Sequence, residues 1–458
     1  MPLKIKFGDY GMVLVLLALV ALFSLLTLKR KDNDGPSAAD NLVEQITERD
    51  LSPRASAKSD AQVLIFGNRK TSYEDVAKRT AEGLEKKGLE NFQLVIGEPR
   101  DLRLALNKLR AEGGQLGAIA TSGPVLDELI IDLPENYPEF TDYKVLRPST
   151  RIYSTFFKTD TFLSIFKRVV VIAIVATGMT LVIITAGIDL SVGSLVGLSA
   201  MVGAGVVQAI AHQAEASGGA IDDVGMGGVG LGFLAAILCC GAMGLLCGSL
   251  IAFFKVAPFI ITLGMMMIAR GLQKMSPKID DLPQSFDWLG QGKMLGIHNT
   301  IILLLLLYIA AHVFMSRTKY GRYIYAVGGN PEAARLSGVP VTGVLIFVYT
   351  LCGLLSGLGG CVEASQIGTA TTTIGVSLEL QVIAAVVIGG TSLFGGTGRI
   401  FGTLIGALII AVMKTGMGQI NFGDALQDVV LGVIIVIAVL VDKMRQSGGL
   451  RKLLAEPH

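Results

Sequence analysis

Hydrophobic and polar positions fall into long blocks along this chain. Residues 11–28 form an uncharged run of about 18 residues, which as a helix at ~1.5 Å per residue reaches across a bilayer core. Lys4 and Lys6 precede it, as they would a secretory signal. The run nevertheless passes into Leu28-Lys29-Arg30-Lys31 with no small-x-small cleavage site, so it reads as an uncleaved anchor. Apolar runs then recur at residues 169–186, 190–211, 229–254, 260–272, 300–315, 343–361, 380–389, 400–413 and 429–441. With the first run they predict about ten transmembrane helices. Several fall short of the roughly 20 residues of a straight span. Glycine breaks of that kind are tolerated where the backbone is buried in protein or lines a cavity.

The block between has another period. Residues 62–67 and 92–96 read as strands, as do residues 117–120, which run on into Thr121-Ser122-Gly123-Pro124. Tyr73, Ala77, Ala81 and Leu84 fall at helical spacing, as do Leu102, Leu106 and Leu109. Strand–helix–strand–helix–strand implies parallel pairing with right-handed crossovers. No G-x-G-x-x-G follows the first strand, so a dinucleotide site lacks support. Residues 32–58 and 133–148, rich in Pro, Ser, Asp and Glu, read as linkers. The expected fold is an all-α polytopic membrane protein with an inserted small α/β domain. Residues 1–28 are the anchor, 29–161 the soluble insert, 162–445 the membrane core and 446–458 a cytoplasmic tail.

Charge sharpens the division. Only 17% of the 458 residues are charged, and 42 of the 76 charged side chains lie between Lys29 and Phe166. The 56 glycines suit closely packed membrane helices. A net charge of +2 steers no nucleic acid. Four His and five Cys, all the latter in apolar runs without ligand spacing, suggest no metal centre; the cysteines read as small buried hydrophobes. Arg317, Lys319, Arg322 and Arg335 in residues 316–340, and Lys443, Arg445, Arg451 and Lys452 in the tail, mark both as cytoplasmic. Counting spans back from there places the insert outside. The trio Lys29–Lys31 argues the other way, but long domains translocate largely regardless of charge.

Three motifs carry candidate chemistry; none is catalytic. Thr185-Ala-Gly-Ile-Asp-Leu-Ser-Val-Gly-Ser194 puts Asp189 amid about 40 otherwise apolar residues, where an ionised carboxylate costs about 2.5–3.5 kcal/mol at a helix centre. Gly187, Ser191 and Gly193 around it suggest a helix break. Asp189 either caps the next helix through amides near Ser191 and Val192 or belongs to a polar patch along a solute path, and the two roles are compatible. Residues 389–402 echo the pattern, with Thr391 and Ser392 after a Val/Ile-rich span; paired broken helices build transporter pathways, and Gly-rich loops also serve packing alone. In residues 320–338, Asn330 before Pro331 with Glu332 in the first turn starts a short helix that Gly338 and Pro340 stop. A short charged helix between spans suits docking into a partner's groove.

From Phe162 onward the sequence resembles the permease subunits of ribose- and xylose-type ABC importers. The matching pieces are residues 178–194, Pro258-Phe-Ile-Ile-Thr-Leu-Gly264, Ile268-Ala-Arg-Gly271, residues 320–338 and Ile383-Ala-Ala-Val-Val-Ile-Gly-Gly-Thr-Ser-Leu393. The resemblance implies an inner-membrane permease for a pentose-like monosaccharide. It also implies an ATP-binding cassette subunit, a second permease copy and a periplasmic sugar-binding protein as partners, within membrane lipid. By the same resemblance, Glu332, Ala333, Ala334 and Gly338 form the coupling helix, and Arg322 and Asn330 are expected to take part with them in coupling to the ATP-binding subunit. Gly187, Asp189, Ser191, Gly193, Thr391 and Ser392 are expected along the translocation pathway. The chain lacks a G-x-x-x-x-G-K-[ST] loop, so it holds no cofactor of its own; ATP and Mg belong to the partner. Rival readings are a permease for branched-chain amino acids or nucleosides, an ion-coupled carrier using Asp189, and a membrane-anchored binding module centred on the insert. The family usually has a short loop where this chain has the insert, which looks like the first lobe of a sugar-binding protein.

Overall fold

The computed structural model describes residues 11–48, 61–89, 91–121, 133, 136–140 and 143–446. Lys4, Lys6, Ser122, Gly123, Pro124, Arg451 and Lys452 lie outside the described residues. The chain divides into two compact units, Leu28–Thr155 and the remainder on either side of it.

Helix α1 (Gly11–Leu26) precedes the insert. In chain order the insert contains β1 (Leu28–Asp32), α2 (Pro36–Glu48), β2 (Ala61–Asn68), α3 (Ser72–Lys86), β3 (Phe92–Gly97), α4 (Pro99–Ala111), β4 (Gln115–Thr121), β5 (Lys144–Leu146) and β6 (Thr150–Ser154). Four strands form a parallel sheet in the order β3-β2-β4-β5. Central β2 is apolar on both faces because both are covered. Val63 and Ile65 pack with α2 and α3, whereas Leu64 and Phe66 pack with α4. β1 and β6 pair antiparallel, so the two ends of the insert run side by side. The basic run Lys29–Lys31 is therefore strand rather than a helix flank.

The expected linkers are only partly linkers. Residues 32–58 contain α2, whose Ala39, Leu42, Val43 and Ile46 are buried at helical spacing behind Pro36. Residues 133–148 contain β5, which adds Leu146 to the sheet core. The compact unit ends at Thr155 rather than 161.

The second unit continues with α5 (Thr159–Ile184), α6 (Val192–Ala216), α7 (Gly225–Phe254), α8 (Pro258–Met275), the hairpin strands β7 (Lys293–Met294) and β8 (Ile297–His298), α9 (Asn299–Arg317), α10 (Lys319–Gly329), α11 (Pro331–Leu336), α12 (Val341–Ile367), α13 (Leu378–Ile388), α14 (Ile400–Gln419) and α15 (Asp424–Gln446). Every apolar run of the sequence falls on a helix. Among the described residues, seven helices are long and apolar enough to cross a membrane; α1 and α13 are shorter. With 11 residues α13 rises only ~16 Å, about half a bilayer core.

α5 is the central helix, with every side chain from Val169 to Ile184 buried. Around it, α7 and α12 approach backbone to backbone through glycine. A Cβ on Gly353 would overlap the Cys240 carbonyl, and one on Gly357 would lie 2.8 Å from Ile237 Cα. Small residues let apolar helices gain close van der Waals contact. Cys240, Cys247, Cys352 and Cys361 are free and buried in this unit, and Cys239 is half-buried.

Candidate functional site

The chain breaks between α5 and α6 as expected. Ala186 takes a left-handed conformation (φ +59°), and a Cβ at Gly187 would overlap the Tyr349 hydroxyl. Asp189 follows, fully buried. Its Oδ1 accepts hydrogen bonds from the Ser191 amide (2.9 Å) and the Ser191 hydroxyl (2.6 Å). The acid thus fastens the turn before α6 through Ser191 alone and leaves Val192 out of the cap. Among the described residues Asp189 Oδ2 has no hydrogen-bond partner, and the buried Tyr349 hydroxyl has none either. Cys352 lies beside Asp189.

A second polar group sits where α6 meets α13. A Cβ on Gly193 would overlap Glu379 Oε2, and one on Gly375 (φ +71°) would overlap the Gly193 carbonyl. The first turns of α6 and α13 therefore abut, which sets two partially positive helix ends near Glu379. Glu379 Oε2 and Ser194 Oγ are buried without partners among the described residues. From α8, Arg270 donates to the carbonyls of Ile374 (3.2 Å) and Gly375 (2.9 Å). Gln273 donates to Ile374 O (3.0 Å) and accepts from Arg270 (2.8 Å). A guanidinium fork suits two adjacent carbonyls, and it holds the irregular backbone that leads into α13.

Gly187, Asp189 and Ser191 thus occupy one continuous break, followed by Gly193 in the first turn of α6, and Arg270 and Glu379 join it across Gly193 and Gly375. Arg270, Gln273, Tyr349 and Glu379 are absent from the residues expected along the path. The signal that marks Asp189, an ionisable group within an apolar stretch, also marks Arg270 and Glu379.

Thr391 and Ser392 stand elsewhere. Their turn closes through Ser392 N–H to Thr397 O (3.1 Å), and the Ser392 hydroxyl donates to Asp442 of α15 (2.9 Å). The turn faces α10 and the end of α5, where Gly396 N–H donates to Ile184 O (2.9 Å).

The short helix α11 forms where its signals place it. The Asn330 side chain accepts from Ala333 N–H (3.0 Å), Glu332 pairs with Arg335 (2.8 Å), and Gly338 takes φ +82°. Ala334 is buried and fastens the helix, while Arg322, Glu332, Ala333 and Leu336 are exposed; Leu336 is 86% exposed.

The chain is 41% identical to the ribose import permease protein RbsC of Escherichia coli K12 over 299 residues, covering 64% of this chain and 88% of that protein. It is 39% identical to RbsC of Bacillus subtilis, covering 62% and 85%. It is 35% identical to the fructose import permease protein FrcC of Rhizobium meliloti, covering 63% and 79%. No solved structure matches the chain. Residues 161–439, which hold the Asp189 break, the α6–α13 junction and α11, match the model of the branched-chain amino acid transport system / permease component, and the chain belongs to that family of multi-pass membrane permeases.

Proposed function

We propose that this chain is the membrane subunit of an ATP-driven importer that carries a pentose-like monosaccharide across the inner membrane. Its likeness to ribose import permeases over 88% of the Escherichia coli protein's length carries this reading, and fructose and galactose import permeases among the relatives keep it within monosaccharides. Asp189, Ser191, Arg270 and Glu379 are polar groups gathered inside an apolar bundle, which suits a hydroxyl-rich solute crossing between helices. ATP and Mg are assigned to a separate ATP-binding cassette subunit seated on α11 through Asn330, Glu332, Ala333 and Gly338 and on Arg322 of α10, with buried Ala334 holding the short helix in place. A second permease copy and a periplasmic sugar-binding protein complete the complex.

The course of α5 supports an external insert. This helix starts at Thr159, just after the insert, and ends at Ile184 beside α10. Its 26 residues span ~39 Å, so its two ends lie on opposite membrane faces. With α10–α11 cytoplasmic, this reading sets the insert, Leu28–Thr155, on the periplasmic side.

The test is uptake of labelled ribose by liposomes containing the assembled complex. ATP-dependent uptake that resists an uncoupler is expected. Uptake that collapses with the uncoupler and ignores ATP would replace this reading with an ion-coupled carrier at Asp189. The family's description favours one alternative cargo; leucine transported in place of ribose would establish it.

A further inference from the structure

Three backbone segments meet at the inner end of α5 with only the Ala186 methyl group among them. A Cβ on Gly328 of α10 would overlap the Ile184 carbonyl and lie 2.7 Å from Gly396 N. Gly395, at φ +85°, leaves room for only 2.7 Å between its would-be Cβ and Gly328 O, and 2.9 Å to Ala186 Cβ. Gly396 N–H donates to Ile184 O at 2.9 Å. Long side chains absorb displacement by changing rotamer; backbone in direct contact does not, because packed interiors shift as units.

This junction lies between two places the function needs. On one side Gly328 is followed by Gly329 and Asn330, where α11 begins. On the other, Ile184 and Ala186 lead within five residues to Asp189. The other end of α11 feeds α12, whose Tyr349 hydroxyl abuts Gly187. Both chain segments leaving α11 therefore reach the same helix break. Side-chain bonds hold the glycine turn, among them Tyr325 OH to Gly398 O (2.9 Å), Ser392 Oγ to Asp442 Oδ2 (2.9 Å) and Phe394 N–H to Ser392 Oγ (3.2 Å). Lys443 lies over the Phe394 ring at 4.7 Å and adds α15 to the grip.

We infer that Gly328, Gly395 and Gly396 are positioning residues that carry displacement of α11 to the Asp189 break, with Tyr325 holding the turn in register. The inference rests on the proposed coupling of α11 to an ATP-binding subunit.

The test uses the full complex with its ATP-binding subunit in liposomes and reads solute imported per ATP hydrolysed. Tyr325→Phe removes one hydroxyl, and Gly328→Ala adds one methyl. Tyr325→Phe is expected to keep the ATP-binding subunit bound and hydrolysing while uptake per ATP falls at least about threefold; Gly328→Ala, whose methyl meets the Ile184 carbonyl, forces the junction apart and is expected to lower uptake per ATP further wherever the complex assembles. Wild-type uptake per ATP in both variants overturns the relay, as does a Tyr325→Phe variant whose uptake and hydrolysis fall in proportion. If Gly328→Ala does not assemble, Tyr325→Phe alone decides. A wild-type chain that fails to co-purify with the ATP-binding subunit overturns instead the coupling reading beneath it.

Discussion

Asp189 offers the sharpest quantitative test of the site. Replacing it with Ala removes the acceptor for two buried donors, the Ser191 amide and hydroxyl. A buried donor left without an acceptor costs about 1–3 kcal/mol, so the pair costs about 2–6 kcal/mol. Wild type is the wrong reference, since Ala also removes a carboxylate whose burial is itself unfavourable. Asp189→Asn is the right one. It is uncharged like Ala and keeps an oxygen for Ser191. The Ala–Asn difference therefore reads the loss of that acceptor without a change of charge. The four buried cysteines supply the assay, because a thiol-reactive dye labels them as the membrane unit unfolds on heating. The Ala variant should unfold several degrees below the Asn variant. Equal midpoints, within about 1 kcal/mol of stability, would show that Ser191 does not need Asp189 and that the acid's place in the break has another cause.

Glu332→Arg should leave the protein inserted and folded, because its ion pair with Arg335 is exposed and exposed pairs are worth about 0–1 kcal/mol. ATP-driven uptake should be lost, and wild-type uptake by this variant would remove α11 as the docking element. Gly353→Leu forces a side chain into the Cys240 carbonyl; overpacking costs about 1–3 kcal/mol or more, and monodisperse protein on size exclusion should fall sharply. Leu42→Ala, at a site 1% exposed in the insert, should cost about 2–5 kcal/mol. Hydrogen exchange in β2 and α3 of the whole chain should then speed up by about thirtyfold or more, with no change around Asp189.

The two units reach stability by different means, and the candidate site depends on both kinds of packing seen in the membrane unit. The insert hides apolar side chains from water on two faces of a sheet. Apolar helices in lipid gain little that way, and here they rely on glycine-mediated approach and on polar side chains that satisfy exposed carbonyls. Arg270 and Gln273 serve the second purpose, since the backbone at Ile374 and Gly375 has no helix of its own to bond within.

Local chemistry made some elements readable from the residues alone. A helix in lipid must be apolar over most of its length, so the seven described helices long and apolar enough to span could be recognised without knowing their neighbours, whereas the expected count of about ten could not be read that way. The start and stop of α11 were equally readable, because Asn330, Pro331 and Gly338 act on backbone within a turn of themselves. The β2–α3–β3–α4–β4 succession showed through its two periods. Distant contacts were not readable. Nothing near Ser392 points to Asp442, fifty positions on, and nothing near Arg270 points to carbonyls about a hundred positions later. β5 and α2 stayed hidden in polar stretches, since a three-residue edge strand and a helix of mixed composition are selected by the sheet they cover. Which polar groups share a site was decided by close backbone approach, Gly193 on Gly375 and Gly328 on Ile184. Approach of that kind is a property of how helices cross, and no residue encodes it by itself.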